Sequence, residues 1–204
     1  MSEERLVHVV DDEESVRKST SFLLRSAGLE TRTYPSGVAF LREVATAPSG
    51  CILLDIRMPE MDGLEVQREL NAREIKFPVI VLTGHGDIGI AVQAMKAGAV
   101  DFLEKPFERG HLLEAIDTGF ARLSRGEDSG ATEREAKVRI EELSQREQEV
   151  LGGLARGHPN KTIAYDLGIS PRTIEVHRAN LMSKLGVRSL SEALRIAFAA
   201  GLGD

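Results

Sequence analysis

The chain has 204 residues, of which 42% are hydrophobic and 28% charged, a composition typical of soluble globular proteins and a length that allows one or two domains. No apolar run approaches the roughly 18 residues of a membrane span, and the acidic start Met1-Ser2-Glu3-Glu4 lacks the layout of a signal peptide, so we expect a cytoplasmic protein. The single Cys51 excludes an internal disulfide and a metal site built from several cysteines.

The net charge of -6 is unevenly distributed along the chain. Residues 1–123 contain 14 Lys/Arg and 20 Asp/Glu, residues 124–142 contain 4 and 6, and residues 143–204 contain 8 and 6. The C-terminal part is therefore the one that permits a nucleic-acid partner, although its small positive charge is weak evidence by itself.

Short apolar runs alternate with amphipathic stretches over residues 1–123. The predicted strands are Leu6 to Val10, Glu30 to Tyr34, Cys51 to Leu54, Pro78 to Leu82 and Val100 to Leu103. The predicted helices are Glu14 to Ala27, Ser36 to Val44, Gly63 to Arg73, Asp87 to Ala97 and Glu108 to Leu123. This alternation predicts an α/β fold, a doubly wound five-stranded parallel sheet.

Polar residues stand where four of these strands end: Asp11-Asp12, Asp55, Thr83 and Lys105. Because parallel strands end at one edge of a sheet, these side chains should converge in the crevice beyond it. Adjacent carboxylates repel unless a cation is present, and Mg²⁺ prefers oxygen ligands, so we expect a magnesium site. An Asp55 oxygen then has the position of a nucleophile toward phosphorus, with Lys105 as counter-charge and Thr83 as hydrogen-bond donor to the phosphoryl group.

The residues of this region also fit two other interpretations. An Asp that follows a strand is most often a helix cap or a solvated turn residue. Gly84 to Gly89 also fits the G-x-G-x-x-G pattern of a dinucleotide site, but it follows the fourth strand, and no acidic residue ends a later strand at the required distance. The Lys105-Pro106 peptide admits either cis or trans geometry.

The motifs of this segment resemble the receiver domain of two-component response regulators. They are Asp11-Asp12, LDIRMPEMDG at 54–63, TGHGD at 83–87 and FLEKPF at 102–107. The resemblance implies a flavodoxin-like sheet with strand order 2-1-3-4-5. It implies a phosphoryl group transferred from a histidine kinase to Asp55, and Mg²⁺ held by Asp11, Asp12, Asp55 and the Arg57 carbonyl. It also implies switching through Thr83 and Phe102, dimerisation through the receiver face, and no turnover enzyme beyond slow self-dephosphorylation.

Residues 124–142 are predicted to be a partly helical linker. Ser124 to Ala131 lacks apolar periodicity and is rich in turn formers, whereas Glu133 to Glu142 favours a helix with Ala136 and Ile140 on one side. This stripe is too short to establish a coiled coil, so a helical extension and a dimer contact both remain open. We therefore expect a receiver domain at 1–123, a linker at 124–142 and a second, small all-α domain at 143–204.

Helix signals in the C-terminal part predict a helix-turn-helix. A capping box at Ser144 to Glu147 begins one helix, Asn160 to Leu167 forms the next, Ser170-Pro171 begins a third that reaches Leu185, and Ser189 to Ala200 forms the last. Side chains of the second and third helices are placed to contact phosphates or base edges. The candidate DNA contacts are Lys161, Arg172, Thr173, Glu175, Val176, Arg178, Ala179, Asn180 and Lys184.

This part resembles the LuxR-type helix-turn-helix DNA-binding domain through LSQREQEVL at 143–151, NKTIA at 160–164 and SPRTIEVHR at 170–178. The whole chain resembles response regulators of the FixJ type, which implies a homodimer on phosphorylation that binds double-stranded promoter DNA and regulates transcription. A protein-interaction adaptor and a nucleotide-dependent enzyme are the alternatives from other functional classes.

Overall fold

The computed structural model describes residues 5–84, 88–125 and 129–203. Among them, one compact unit contains residues 5–84 and 97–125, and another contains residues 88–96 and 129–203. The strands are β1 Leu6–Val10, β2 Glu30–Tyr34, β3 Cys51–Asp55, β4 Val79–Thr83 and β5 Asp101–Glu104. The helices are α1 Glu14–Ser26, α2 Gly37–Glu43, α3 Gly63–Ala72, α4 Ile88–Lys96, α5 Arg109–Arg125, α6 Ser129–Glu141, α7 Gln145–Ala155, α8 Asn160–Leu167, α9 Pro171–Lys184 and α10 Leu190–Ala199.

The strands of the first unit form one parallel sheet in the order β2-β1-β3-β4-β5, which confirms the predicted doubly wound fold. Every residue of β1, β3 and β4 is buried, as expected for central strands covered on both faces, whereas β2 and β5 lie at the edges and are partly exposed. Three strands extend one residue beyond their predicted ends, because Asp55, Thr83 and Glu104 continue the ladder.

Local signals explain how the chain enters and leaves the helices of this unit. Gly28 has a φ of 81°, a left-handed conformation that glycine adopts without a steric penalty, and it directly follows the C-cap of α1. Asp62 and Glu65 form a capping box that begins α3. The helices therefore begin and end close to the predicted residues, and the strand ends are fixed relative to them.

The second unit holds the helices of the C-terminal part. The Ser144 and Glu147 capping box begins α7, Gly168 ends α8 with a φ of 66°, and Ser170 caps α9 through the Thr173 amide. Its core is formed by apolar side chains of α7 to α10 and the Leu185 cap, namely Val150, Leu151, Leu154, Ile163, Ile174, Leu181, Leu185 and Leu194. A helical second domain accompanies the sheet, as predicted.

Helix α6 occupies most of the segment predicted to be a linker. Its side chains Ala136 and Ile140 are buried, and α6 packs against α10 within the second unit. The domain boundaries at 123 and 142 stay predictions. None of the described helices is long and apolar enough to span a bilayer.

Candidate functional site: an acidic cluster and a helix-turn-helix

Carboxylates from two strand ends meet at one edge of the sheet. Asp11 follows β1 directly and Asp55 ends β3, and one oxygen of each of Asp11, Asp12 and Asp55 lies within 4.8 Å of the others. The exposed fraction is 0% for Asp11 and 6% for Asp55, whereas Asp12 is exposed. The cluster therefore combines two buried carboxylates with one that solvent reaches.

Lys105 supplies the positive charge at this cluster. Its Nζ donates hydrogen bonds of 2.6 Å to Asp11 Oδ2 and of 2.6 Å to Asp55 Oδ1. The backbone amide of Lys105 also donates to the Thr83 carbonyl at 2.8 Å, which ties β4 to the residue after β5. The Lys105-Pro106 peptide is cis.

Burial and charge act in opposite directions on these groups. Burial raises the pKa of Asp55, and the charges of Asp11 and Asp12 raise it further, while the hydrogen bond and charge of Lys105 partly offset the increase. Burial lowers the pKa of the Lys105 ammonium, but its hydrogen bonds to Asp11 and Asp55 outweigh burial and the net pKa is raised. Lys105 is therefore a permanent cation at neutral pH.

Three hydrogen bonds that the sequence does not predict hold the acidic pair in place. Arg17 of α1 donates from Nη1 to the carbonyls of Asp11 at 2.7 Å and of Asp12 at 2.8 Å. The Glu13 amide donates to Asp11 Oδ1 at 2.9 Å. The backbone of the pair is thus fixed by its own following helix. No sequence period predicts an arginine that reaches back to two carbonyls.

The loop after β3 passes close behind Asp55. A Cβ atom on Gly63 would lie 2.4 Å from the Asp55 carbonyl oxygen, so only glycine allows α3 to begin at this position. Glu60 has a φ of 67°, which turns this loop sharply. Arg57 lies in the same loop with an exposed side chain, and its carbonyl as a metal ligand stays a prediction.

Thr83 and Phe102 occupy neighbouring strands. Thr83 is the last residue of β4 and is buried, and its hydroxyl donates to the Gly84 carbonyl at 3.0 Å. Phe102 lies in β5 opposite Val81 and is half-buried. Their predicted roles in sensing phosphorylation stay predictions.

The competing glycine-rich motif falls only partly on described residues. Gly84 and Gly89 are described, whereas residues 85–87 lie outside the described ranges. The motif follows β4, which is not the first strand of the chain, as a dinucleotide site would require. The expectation that no acidic residue ends a later strand is wrong, because β5 ends at Glu104.

The candidate DNA contacts divide into two groups by their surroundings. The first group is exposed on α8 and α9 and consists of Lys161, Arg172, Glu175, Val176, Ala179 and Asn180; Lys184 is exposed as well. Thr173 is half-buried, and its amide donates to Ser170 Oγ. Arg178 and Lys184 instead bind within the domain: Arg178 Nη1 donates to Asn160 Oδ1 at 3.0 Å, and Lys184 Nζ donates to Glu147 Oε2 at 2.7 Å.

Family models match both parts of the chain. Residues 7–117 match the response regulator receiver domain, and residues 141–197 match the bacterial regulatory proteins of the luxR family. The transcriptional regulatory protein FixJ of Rhizobium meliloti is 48% identical over 97% of this chain and 97% of its own. That of Azorhizobium caulinodans is 50% identical over 99% and 96%. The response regulator protein TmoT of Ectopseudomonas mendocina is 42% identical over 95% and 88%.

Solved structures give the same result. Full-length FixJ from B. japonicum has a TM-score of 0.59 and 43% identity, covering 97% of this chain and 98% of its own. The structure of FixJ-N has a TM-score of 0.56 and 48% identity, covering 57% and 94%. The chain therefore belongs to the two-component response regulators of the FixJ type, which control transcription.

Proposed function

We propose that Asp55 accepts a phosphoryl group from a histidine kinase and that the modification controls DNA binding by the C-terminal domain. The observation that carries this proposal is the buried Asp55 carboxylate, hydrogen-bonded to Lys105 and beside two further carboxylates. An Asp55 oxygen attacks phosphorus of the kinase phosphohistidine, and the P–N bond breaks as the O–P bond forms. The P–N electron pair returns to the imidazole, and Lys105 balances the charge of the phosphoryl group.

The donor set of the cluster fits Mg²⁺. Asp11, Asp12 and Asp55 offer hard oxygen ligands within reach of one another, and the exposed Asp12 leaves a side open to water and phosphate. We propose the Arg57 carbonyl as a fourth ligand. When bound, Mg²⁺ would neutralise the charge of the carboxylates and of the phosphoryl group. We propose no catalytic turnover for the chain beyond slow self-dephosphorylation.

The acceptor is tested by intact mass measurement after incubation with acetyl phosphate and Mg²⁺. The wild-type chain should gain the mass of one phosphoryl group, and Asp55→Asn should gain none. Asp117→Asn, which removes an exposed acid on α5, serves as the matched control and should be labelled like the wild type. Labelling that survives in Asp55→Asn would overturn the acceptor assignment.

We propose that the second domain binds double-stranded promoter DNA as a homodimer that forms on phosphorylation. The exposed residues of α8 and α9 carry the contacts: Lys161 and Arg172 to phosphates, Glu175 to cytosine and Val176 to a thymine methyl group. Thr173, Ala179 and Asn180 complete the surface.

In the receiver, Thr83 and Phe102 relay the phosphorylated state to the dimer face. The proposed partners are a histidine kinase, which donates the phosphoryl group, and promoter DNA. We therefore propose that the protein acts in the cytoplasm.

The DNA surface is tested through the salt dependence of binding to a labelled random-sequence duplex. Loss of one phosphate contact in Lys161→Ala should lower affinity and reduce the slope of log K against log salt by about 0.9 per contact. Lys137→Ala removes an exposed lysine of α6 and should leave the slope unchanged. An unaltered slope in Lys161→Ala would contradict its role.

A further inference from the structure

One oxygen of Glu147 accepts hydrogen bonds from two separate elements. The Ser144 amide, which precedes α7, donates to Glu147 Oε2 at 2.7 Å. The ammonium of Lys184, the last residue of α9, donates to the same oxygen at 2.7 Å. The capping box of α7 is therefore bonded to the last turn of the helix that carries most of the candidate DNA contacts.

The burial of this pair is unequal. The Glu147 side chain is 5% exposed and that of Lys184 is 45% exposed. A carboxylate with so little access to water depends on its bonded cation, because removing the partner leaves a buried charge uncompensated. The hydrogen bond from Lys184 lowers the pKa of Glu147 despite the opposing effect of burial, so the pair is ionised at neutral pH. The charge of Lys184 is thus already matched inside the domain.

A second contact anchors the same end of α9. Arg139 of α6 donates from Nη2 to the carbonyl of Leu185, the C-cap of α9. This carbonyl is one of the terminal acceptors that a helix cannot satisfy internally, and a cation is favoured at the negative end of the helix dipole. Helix α6 is itself held by the buried side chains Ala136 and Ile140.

The middle of α9 is bonded to a third element. Arg178 donates to Asn160 Oδ1, and Asn160 is the first residue of α8. Lys161 and Arg172 differ from Lys184, which is also exposed, because neither of them forms an ion pair among the described residues. The cations of α8 and α9 thus comprise two bonded within the domain and two available to a ligand.

We infer that Lys184, Glu147 and Arg139 are positioning residues that fix the C-terminal end of α9, and that Lys184 neutralises Glu147 and not a DNA phosphate. This inference rests on the proposed DNA binding by α9. It gives α6, in the segment between the two predicted domains, a direct contact to the end of the DNA-reading helix. Fixing that end sets the angle at which the exposed residues of α9 meet a groove.

The test compares full-length variants, treated with acetyl phosphate and Mg²⁺, for binding to a labelled random-sequence duplex over a range of salt. Lys184→Met and Glu147→Gln should each weaken binding roughly tenfold, the scale of one charge-assisted hydrogen bond. Neither should change the salt slope, and the double variant should be no weaker than either single variant. Lys184→Arg keeps the bond and should restore affinity.

Glu147→Gln distinguishes a positioning role of Lys184 from a phosphate contact, because the two roles predict opposite changes in DNA affinity. If Lys184 bound a phosphate, loss of the competing carboxylate would strengthen DNA binding, whereas a positioning role predicts weaker binding. Lys137→Met removes an exposed lysine of the same unit and controls for the change in net charge. Circular dichroism establishes that each variant is folded. Arg139→Lys tests the hydrogen bond from Arg139 to the Leu185 carbonyl, again through DNA affinity over a range of salt.

The inference is overturned if Lys184→Met reduces the salt slope by about 0.9, as loss of a phosphate contact does. It is also overturned if the folded Glu147→Gln and Lys184→Met variants bind like the wild type. If the wild type binds no duplex at all, the proposed DNA-binding function fails and the positioning role fails with it. Wild-type binding together with the wrong variant pattern overturns the inference alone.

Discussion

At the scale of single residues, Asp11 and Asp55 share one hydrogen-bonded counter-ion, Lys105. Lys105→Met leaves two buried carboxylates beside each other without their shared cation. In buffer with a metal chelator we expect the free energy of unfolding to fall by about 3–5 kcal/mol, the range for a broken buried pair. Urea denaturation measures the change.

Lys18 offers a matched control for this prediction. Lys18 pairs with Glu14 on the surface of α1, where both side chains are largely exposed. Lys18→Met should change the free energy of unfolding far less than Lys105→Met does, because exposed pairs of this kind contribute little. Equal effects of the two substitutions would show that Lys105 does not hold the carboxylates together.

His8 in the centre of β1 gives the receiver a pH-dependent stability. Its Nε2 donates to the Pro48 carbonyl at 3.1 Å, and Nδ1 lies 3.4 Å from the Tyr34 hydroxyl. Burial lowers the pKa of His8 below its ordinary 6.5, and the Pro48 hydrogen bond only partly offsets this effect. The folded state therefore takes up its proton at a lower pH than the unfolded chain does.

The sign of the pH effect follows from proton binding. Below pH 6.5 the unfolded chain binds more protons at this position, so stability that is full above 6.5 is lost as the pH falls toward the folded pKa. Urea midpoints measured on both sides of pH 6.5 should show this loss, and His8→Gln should reduce it. His111→Gln, at an exposed position of α5, should retain it. A pH dependence unaffected by His8→Gln would contradict the assignment.

The sequence predicts which side chains come together at the edge of the sheet, but it does not predict the hydrogen bonds that hold them in position. Asp11, Asp55 and Lys105 each follow or end an apolar strand, and parallel strands bring such residues to one edge. Arg17 carries no such signal, because its contact is made to backbone carbonyls. Lys161 and Lys184 look alike in the sequence, and only the fold reveals the Glu147 carboxylate that binds Lys184.

At the scale of elements, the start of α3 depends on a close approach between backbones. In Gly63→Ala the new Cβ would lie 2.4 Å from the Asp55 carbonyl oxygen and 3.0 Å from Ile56 Cα, so the backbone has to shift. We expect a loss of about 1–3 kcal/mol in unfolding free energy, together with slower labelling by acetyl phosphate. Chemical denaturation and intact mass measure the two effects.

Gly110 in α5 provides the comparison. A Cβ there meets no atom within 4 Å, and Gly110 lies inside a helix, so Gly110→Ala should be neutral or should stabilise by up to about 1 kcal/mol. Labelling of this variant should equal that of the wild type. If Gly63→Ala behaved like Gly110→Ala, the loop after β3 would not position Asp55.

The ends of several strands and the start of α6 differ from the boundaries that the sequence predicts. The apolar runs predict β3, β4 and β5, yet each strand continues into a polar residue, because ladder hydrogen bonds depend on the neighbouring strand and not on hydrophobicity. Helix α6 begins at Ser129, within the turn-forming stretch, and is stabilised by tertiary burial of Ala136 and Ile140. Such packing leaves no strong signal in local composition.

At the scale of the whole molecule, the chain pairs a receiver domain, which holds the proposed acceptor Asp55, with a luxR-family regulatory domain. Each belongs to its own unit, and we propose that phosphorylation of Asp55 in the first unit changes DNA binding by the second. By thermodynamic linkage, dimerisation and DNA binding should strengthen each other by the same factor. The predicted dimer explains this coupling, because two linked DNA-binding domains bind more tightly than one.

The most direct test of this coupling is the DNA affinity of the full-length chain with and without acetyl phosphate and Mg²⁺, measured by fluorescence anisotropy with a labelled duplex. We predict that the donor raises the affinity of the wild type by roughly tenfold or more, within the usual range of coupling energies, and leaves Asp55→Asn unchanged. Two results would contradict the claim that Asp55 controls DNA binding. One is a wild-type DNA affinity that is the same with and without acetyl phosphate, and the other is an Asp55→Asn affinity that rises when acetyl phosphate is added.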